Sequence, residues 1–249
     1  MSEKSITAAI LVIGDEILSG RTKDKNIGYI AEYLTGLGID LCEVRVVRDI
    51  EEEIVAAVNA LRTRYTYLFT TGGIGPTHDD ITADSIARAL GVGIDYDERA
   101  LAMMRERYAP GELNEARMRM ARIPFGAELI ANPISKAPGF MVENVITMAG
   151  VPSIMQAMLD DVATRLETGV KVIAETIDAK GLPEGKYAGA LAEIDKAHPE
   201  VSIGSYPSFT GEGFRNQIVV RGRSRAAIDA AMDDIRRVLA RITGDGAPA

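Results

Sequence analysis

Cysteine occurs once in these 249 residues, at Cys42. A single thiol leaves no internal disulfide framework and no zinc centre built on several cysteines, and it fits a reducing compartment. Long apolar runs are missing too: none approaches the roughly 20 residues that span a bilayer. The leading Met1-Ser2-Glu3-Lys4-Ser5 lacks the basic stretch and apolar core of a secretory signal, so a cytoplasmic protein without membrane attachment is expected. Histidine is scarce, with His78 in a loop and His198 before Pro199. No Ser/His/Asp or Cys/His/Asn set stands at interpretable positions, which leaves nucleophilic catalysis of that kind unsupported. Positive charge is also in short supply, since 28 Lys and Arg against 36 Asp and Glu leave −8. Eleven residues of each sign fall from Gly169 onward, so the whole deficit sits on the first 168 residues. An acidic main part argues against nucleic-acid binding, which depends on neutralising phosphates. A phosphorylated small molecule would have to be met by backbone amides and a divalent cation.

What is present describes a soluble globular chain, 47% hydrophobic and 26% charged, of a length that suits one large domain or a medium and a small one. Ile6–Ile13 are apolar at nearly consecutive positions, as in a parallel strand covered on both faces. That strand runs into Gly14-Asp15-Glu16. Asn26 is placed to cap a helix carrying Ile27, Ile30, Ala31 and Leu34, which Gly36 and Gly38 end. A strand near Leu41–Val47, containing Cys42 as a small core residue, and a helix with Ile54, Val55, Val58 and Leu61 on one stripe follow. The strand Tyr67–Thr71 enters Gly72-Gly73-Ile74-Gly75-Pro76-Thr77, with the next helix expected near Asp79. Strands alternating with amphipathic helices predict a doubly wound α/β/α sandwich. A helical pattern between Asp97 and Ala121 is broken at Pro110-Gly111. Short strands at Gly139–Val142 and Val145–Met148 and a helix from Ser153 to about Leu166 then close a first domain, residues 1–168. Residues 169–249 read as strand, helix, two strands and helix, a small α+β module with both helices on one face of its sheet.

The glycine-rich loop is the strongest chemical signal. It follows neither the GxxxxGK[ST] nor the GxGxxG pattern, yet it lies where a parallel strand ends, the edge at which open α/β sheets bind ligands. Gly72, Gly73 and Gly75 would let backbone amides approach a phosphate. Asp79 and Asp80 could merely favour a helix N-terminus, or join Asp15 and Glu16 at the same edge. Two acidic pairs brought together shift their pKa values or recruit a cation, and hard oxygen donors suit Mg²⁺. Arg117, Arg119 and Arg122 form a basic cluster that fits either a ligand's phosphates or an exposed helix face.

Taken in order, Gly14-Asp15-Glu16-Ile17-Leu18-Ser19-Gly20, Asp24-Lys25-Asn26, the run Gly72 to Thr82, Asn114-Glu115-Ala116-Arg117, Ala121-Arg122-Ile123-Pro124, Asn132-Pro133, Ala137-Pro138-Gly139-Phe140 and Gly204-Ser205-Tyr206-Pro207 resemble the molybdopterin-binding domain family of the MoaB/Mog type, and within it the CinA-like members. The resemblance implies an α/β/α core with a ligand pocket at the two loops and a small module of the CinA middle type. It implies divalent-metal-dependent (Mg, Mn or Co) hydrolysis of a dinucleotide pyrophosphate such as ADP-ribose, with molybdopterin binding for molybdenum-cofactor biosynthesis, or a non-catalytic binding module, as alternatives. On that reading Asp80, Asp79 and Glu16 are catalytic, and Asp15, Glu16, Asp79 and Asp80 hold the metal. Gly14, Asp15, Asn26, Gly72, Gly73, Gly75, Thr77, Lys136 and Gly150 meet the ligand. A homo-oligomer is expected. The sequence ends at Ala249, before the nicotinamide-nucleotide amidase domain of full-length relatives and with no FAD synthase catalytic domain, so those activities are expected to be absent. Ser135-Lys136 stands where Gly-Thr is common, and Ala149-Gly150-Val151-Pro152 where relatives often have a Pro-Gly-Pro-Pro-like turn; Lys136 adds positive charge near the expected pocket.

Overall fold

The computed structural model describes residues 5–109, 111–210 and 213–244; the leading segment 1–4 and Pro110 of the expected helix break lie outside them. The chain divides into two compact units, Met1–Gly169 and Val170–Ala249.

In the first unit the elements run β1 (Ile6–Ile13), α1 (Asp15–Leu18), α2 (Asn26–Gly36), β2 (Ile39–Val47), α3 (Glu51–Arg62), β3 (Tyr67–Thr71), α4 (Thr82–Leu90), β4 (Ile94–Tyr96), α5 (Glu98–Arg105), α6 (Glu115–Met118), β5 (Arg122–Pro124), β6 (Glu128–Ile130), β7 (Gly139–Val142), β8 (Val145–Met148) and α7 (Pro152–Ala163). The main sheet has the order β2-β1-β3-β8-β7-β6. Its first four strands are parallel, and β7 and β6 continue it antiparallel. Helices cover both faces, which explains why β1 is apolar nearly throughout. Ala9, Leu11 and Ile13 pack with Ile54, Val58 and Leu61 of α3 and Ile86 of α4. Ile6, Ala8, Ile10 and Val12 pack with Ile30 and Leu34 of α2 and Met155, Met158, Leu159 and Val162 of α7. Each of the Ile, Leu, Val and Met side chains among them contributes about 1.5–3 kcal/mol when fully buried. This is the doubly wound α/β/α sandwich that the alternating pattern predicts.

Three local expectations are corrected. The helix after the glycine-rich loop begins at Thr82, not near Asp79. The intervening segment is a turn in which the Asp80 N–H donates to the Thr77 carbonyl at 3.2 Å. Asn26 does not cap α2 but is its first residue. Asp24 does the capping, its Oδ1 accepting from the N–H groups of Asn26 at 3.1 Å and Ile27 at 2.8 Å. Cys42 is exposed on β2 rather than packed in the core.

The second unit runs β9 (Ile173–Asp178), α8 (Ala188–Ala197), β10 (Val201–Tyr206), β11 (Phe209–Thr210), β12 (Gly213–Phe214), β13 (Gln217–Gly222) and α9 (Arg225–Thr243). Its antiparallel sheet has the order β10-β13-β9. Ile218 and Val220 of β13 are buried with Ile194 of α8 and Ile228, Met232 and Ile235 of α9, so both helices share one face. Ser224 starts α9 by accepting from the Ala227 N–H at 3.3 Å. The short β11–β12 pair has no counterpart in the sequence reading.

Candidate functional site

The C-terminal ends of β1, β2, β3 and β8 gather the loops of the first unit. Gly14 donates its N–H to the Val47 carbonyl at 3.2 Å, and Gly72 donates to Met148 at 3.2 Å. Gly72 has φ +101° and Gly73 φ +67°, conformations that L side chains rarely adopt. A Cβ on Gly72 would lie 2.1 Å from the Ile13 carbonyl oxygen, and one on Gly73 would lie 2.1 Å from Thr82 Oγ1. The loop is closed from the other side by the Thr82 N–H on the Gly73 carbonyl at 3.0 Å. The N–H groups of Gly73, Ile74 and Gly75 meet no acceptor among the described residues. Three successive unpaired amides at a sheet edge suit an anion.

Unpaired polar atoms also lie beneath and beside this loop. Asn26 is only 4% exposed; its Nδ2 donates to the Gly150 carbonyl at 2.9 Å, and its Oδ1 has no partner. Gly150 in turn approaches Gly72, whose Cα would be 3.3 Å from a Cβ at position 150. Four threonine hydroxyls, on Thr70, Thr71, Thr82 and Thr147, are buried without partners, and Thr70 lies opposite Thr147 in the sheet. A buried polar group left without a partner costs about 1–3 kcal/mol, and unpaired groups gathered at one sheet edge fit a polar ligand or ordered water beside them.

A small cavity of about 20 Å³ at the loop is lined by Gly73, Gly75, Asp80, Asp84, Arg119 and Arg122. Beside it lies an open groove of about 490 Å³ that shares Arg119 and Arg122 and adds Pro76, His78 and Tyr96. The three arginines singled out in the sequence have different fates. Arg122 makes a two-pronged pair with Asp84, both contacts at 2.8 Å. Arg117 donates to the Glu112 carbonyl at 2.6 Å and its guanidinium lies 4.6 Å from the Tyr108 ring centroid. The Arg119 side chain makes no hydrogen bond or ion pair with any described residue, and its Nε is buried without a partner.

The expected metal-holding carboxylates are not assembled. Among the described residues no three of His, Cys, Asp and Glu are grouped so as to hold a metal ion. Asp80 spends one carboxylate oxygen on the Thr77 N–H at 2.8 Å and the Thr77 hydroxyl at 2.5 Å. Asp80 and Thr77 therefore close the glycine loop on itself. Asp15 and Glu16 stand exposed in the first turn of α1. Lys136, expected near the ligand, has φ +63° and gives its Nζ to Glu106 at 2.7 Å. It does not line the loop cavity or the adjoining groove.

Asp49 and Tyr96 were not singled out in the sequence. Asp49 follows β2, whose end lies at the same edge, and accepts from the Asp15 N–H at 2.9 Å. Burial pushes its carboxyl above the usual carboxylate range; the charges of Glu16, Asp15 and Asp79 act in the same direction, while the Asp15 N–H opposes them. A carboxyl with a raised folded pKa takes up a proton more readily when folded, so its penalty is full above that pKa and fades as pH falls toward the unfolded value. Asp49→Asn keeps an acceptor for Asp15 and is expected to be more stable than wild type at pH 7. The difference should close as pH falls through the raised pKa to the usual range. Urea denaturation at a series of pH values checks this; a variant less stable at pH 7, with no convergence in acid, would refute it.

Residues 9–168 match the family described as Probable molybdopterin binding domain, and residues 171–243 match FAD synthase, middle domain. A protein of Aeropyrum pernix is 33% identical over 97% of this chain and 97% of its own length. One from Pyrobaculum calidifontis is 34% identical over 81% of this chain and 80% of its own. Among solved structures, the protein CinA with unknown function from Thermoplasma acidophilum is 34% identical with a TM-score of 0.62, covering 65% of this chain and 98% of that one.

Proposed function

Because the chain belongs to the Probable molybdopterin binding domain family through residues 9–168, we propose that the glycine-loop edge of its first unit binds a phosphorylated pterin of the molybdopterin type. The observation that carries this reading is Arg119, whose buried Nε has no partner and which lines both the loop cavity and the adjoining groove. The pterin's phosphate would take the unpaired N–H groups of Gly73, Ile74 and Gly75 together with the Arg119 guanidinium, a charge-assisted contact of the stronger kind. Asn26 Oδ1 would accept from a donor on the ligand, and the hydroxyl of Thr82 would supply either role. The ring system would occupy the groove against Tyr96, which is 45% exposed there; a planar heterocycle covers such a ring by offset stacking. Asp80 and Thr77 act one step away, holding the loop in the shape that aims its amides.

Asp15, Glu16, Asp79 and Asp80 form no group of three donors among the described residues, so the metal-dependent hydrolysis that the resemblance implied draws no support from this geometry. Titration calorimetry with molybdopterin, pyrophosphate and ADP-ribose tests the proposal, alongside an assay for AMP release from ADP-ribose with Mg²⁺, Mn²⁺ or Co²⁺. Saturable molybdopterin binding without AMP release is expected. AMP release without pterin binding would overturn the reading in favour of the hydrolase.

Tyr96 gives a second check. Tyr96→Ala is expected to weaken molybdopterin binding about tenfold, about 1.4 kcal/mol, and Tyr96→Phe to retain it. Pyrophosphate, which has no ring, should bind both variants as it binds wild type. Equal loss of pyrophosphate in Tyr96→Ala would show a disturbed loop rather than a lost stacking contact.

A further inference from the structure

We propose that β2 is the self-association edge of this protein, with two copies pairing their β2 strands antiparallel about a two-fold axis at Val44. At nine residues β2 is the longest strand of the main sheet, and in the sheet order only β1 pairs with it among the described residues. The strand at the other end of that sheet, β6, has three residues. A long edge strand presents a row of outward N–H and C=O groups, a template for another strand unless something blocks it. Near the middle of β2, Val44 is 39% exposed. The register shift where Ala8 pairs with Leu41 and Ala9 with Glu43 leaves Cys42 as the extra residue. Such an irregularity bends a ladder, so the regular part of the edge starts at Glu43.

The residues on that regular part complement themselves under one symmetry only. A two-fold axis normal to a sheet keeps each face on its own side, so residues placed opposite must share a face and the axis must pass at a residue. Glu43 and Arg45 lie opposite Ala9 and Leu11 of β1, two residues of the α3-side core. They therefore share that face, and within one chain they already bond at 2.6 Å. An axis at Val44 sets Glu43 of each copy opposite Arg45 of the other, twice, and sets Val44 against Val44. An axis at Glu43 sets two carboxylates face to face, and an axis at Arg45 sets two guanidiniums face to face; like charges directly opposite are destabilising. With the axis at Val44 the four charged side chains alternate in sign around it, and each guanidinium has donors to spare for both carboxylates. Tyr65 and Arg64 already hold Glu43, with the Tyr65 hydroxyl at 2.7 Å and Arg64 Nη1 at 3.4 Å, so the carboxylate is fixed before the second copy arrives. The partner is a second copy of this chain, and the pairing does not depend on what binds at the glycine loop.

The 249-residue chain tests this by cross-linking. In Cys42→Ser/Val44→Cys the two introduced thiols would face each other across the axis, with Cα atoms about 4.5–5.5 Å apart, within the span of a disulfide. Mild oxidation is expected to give a covalent dimer of twice the 26.8 kDa chain. Wild-type Cys42 is the control: the two copies of position 42 would be offset by four residues, about 13 Å, and should not cross-link. Sedimentation should show a wild-type dimer that Glu43→Arg and Arg45→Glu each weaken at least tenfold, and that the double swap restores. A monomer at about 100 µM with no cross-link at position 44, or cross-linking at Cys42 as efficient as at 44, overturns the proposal. The Val44→Cys arm leaves the Glu43 network intact, so it reads the edge even if a charge reversal disturbs folding.

Discussion

Gly72→Ala is expected to destabilise the first unit by about 3 kcal/mol or more and to abolish ligand binding at the glycine loop. Two costs add. The backbone at Gly72 has φ +101°, and the new Cβ would come within 2.1 Å of the Ile13 carbonyl oxygen. Strained positive-φ residues cost about 1–3 kcal/mol each even without a clash. Here the clashing atom is backbone of β1, whose neighbours Val12 and Ile13 are buried, so no side chain can swing aside to relieve it. Relief requires the loop to move, which breaks the Gly72 N–H bond to Met148 and pulls the loop away from Gly150. Gly20→Ala is the matched control: φ is +72° but nothing lies within 4 Å of the added carbon, so only the conformational cost of about 1 kcal/mol is expected. Urea unfolding of both variants, followed by a probe on the first unit, separates the two costs. A Gly72→Ala protein within 1 kcal/mol of Gly20→Ala would show that the loop yields freely, and its amides would then not be preorganised for an anion.

The same loop shows how much of the fold is legible in the sequence. Strands covered on both faces announce themselves by continuous apolar runs, and Tyr67–Thr71, Gly139–Val142 and Val145–Met148 form with the expected bounds. The candidate site was legible to the extent that topology carries it: Gly72, Gly73, Asn26 and Gly150 come together because parallel strands end on one edge. What failed was local competition among similar residues. Asp79 and Asp80 look like the acidic first turn of a helix, but Thr77 precedes Asp80 by three residues and binds its carboxylate in a turn of its own. Asp24 stands two residues before Asn26 and takes the capping bonds, which releases the Asn26 side chain for Gly150. Asp49 was within reach of sequence reasoning, since a strand parallel to β1 must end on the same edge. Nothing in the sequence separates Arg119 from Arg117 and Arg122, because their difference lies in the partners Asp84, Glu112 and Tyr108, brought in by folding.

That difference gives the most discriminating substitution. Arg119→Met is expected to leave the protein as stable as wild type or stabilise it by about 1 kcal/mol, and to weaken ligand binding by ten- to a hundredfold. The stability term follows from the Nε that is buried without an acceptor: removing an unpaired buried donor and filling the space with an apolar chain of similar length relieves a desolvation cost. The binding term follows from losing the guanidinium that lines both the cavity and the groove, a change of about 1.4–2.8 kcal/mol. Arg122→Met should behave in the opposite way on stability, because it leaves Asp84 without the partner that holds both its oxygens. A residue kept for the fold loses stability when it is cut back, whereas one kept for a ligand loses only the ligand. Calorimetry and urea unfolding on the two variants therefore read the role of Arg119 directly. Loss of stability in Arg119→Met with ligand affinity unchanged would make Arg119 a structural residue and leave the loop amides without their cation.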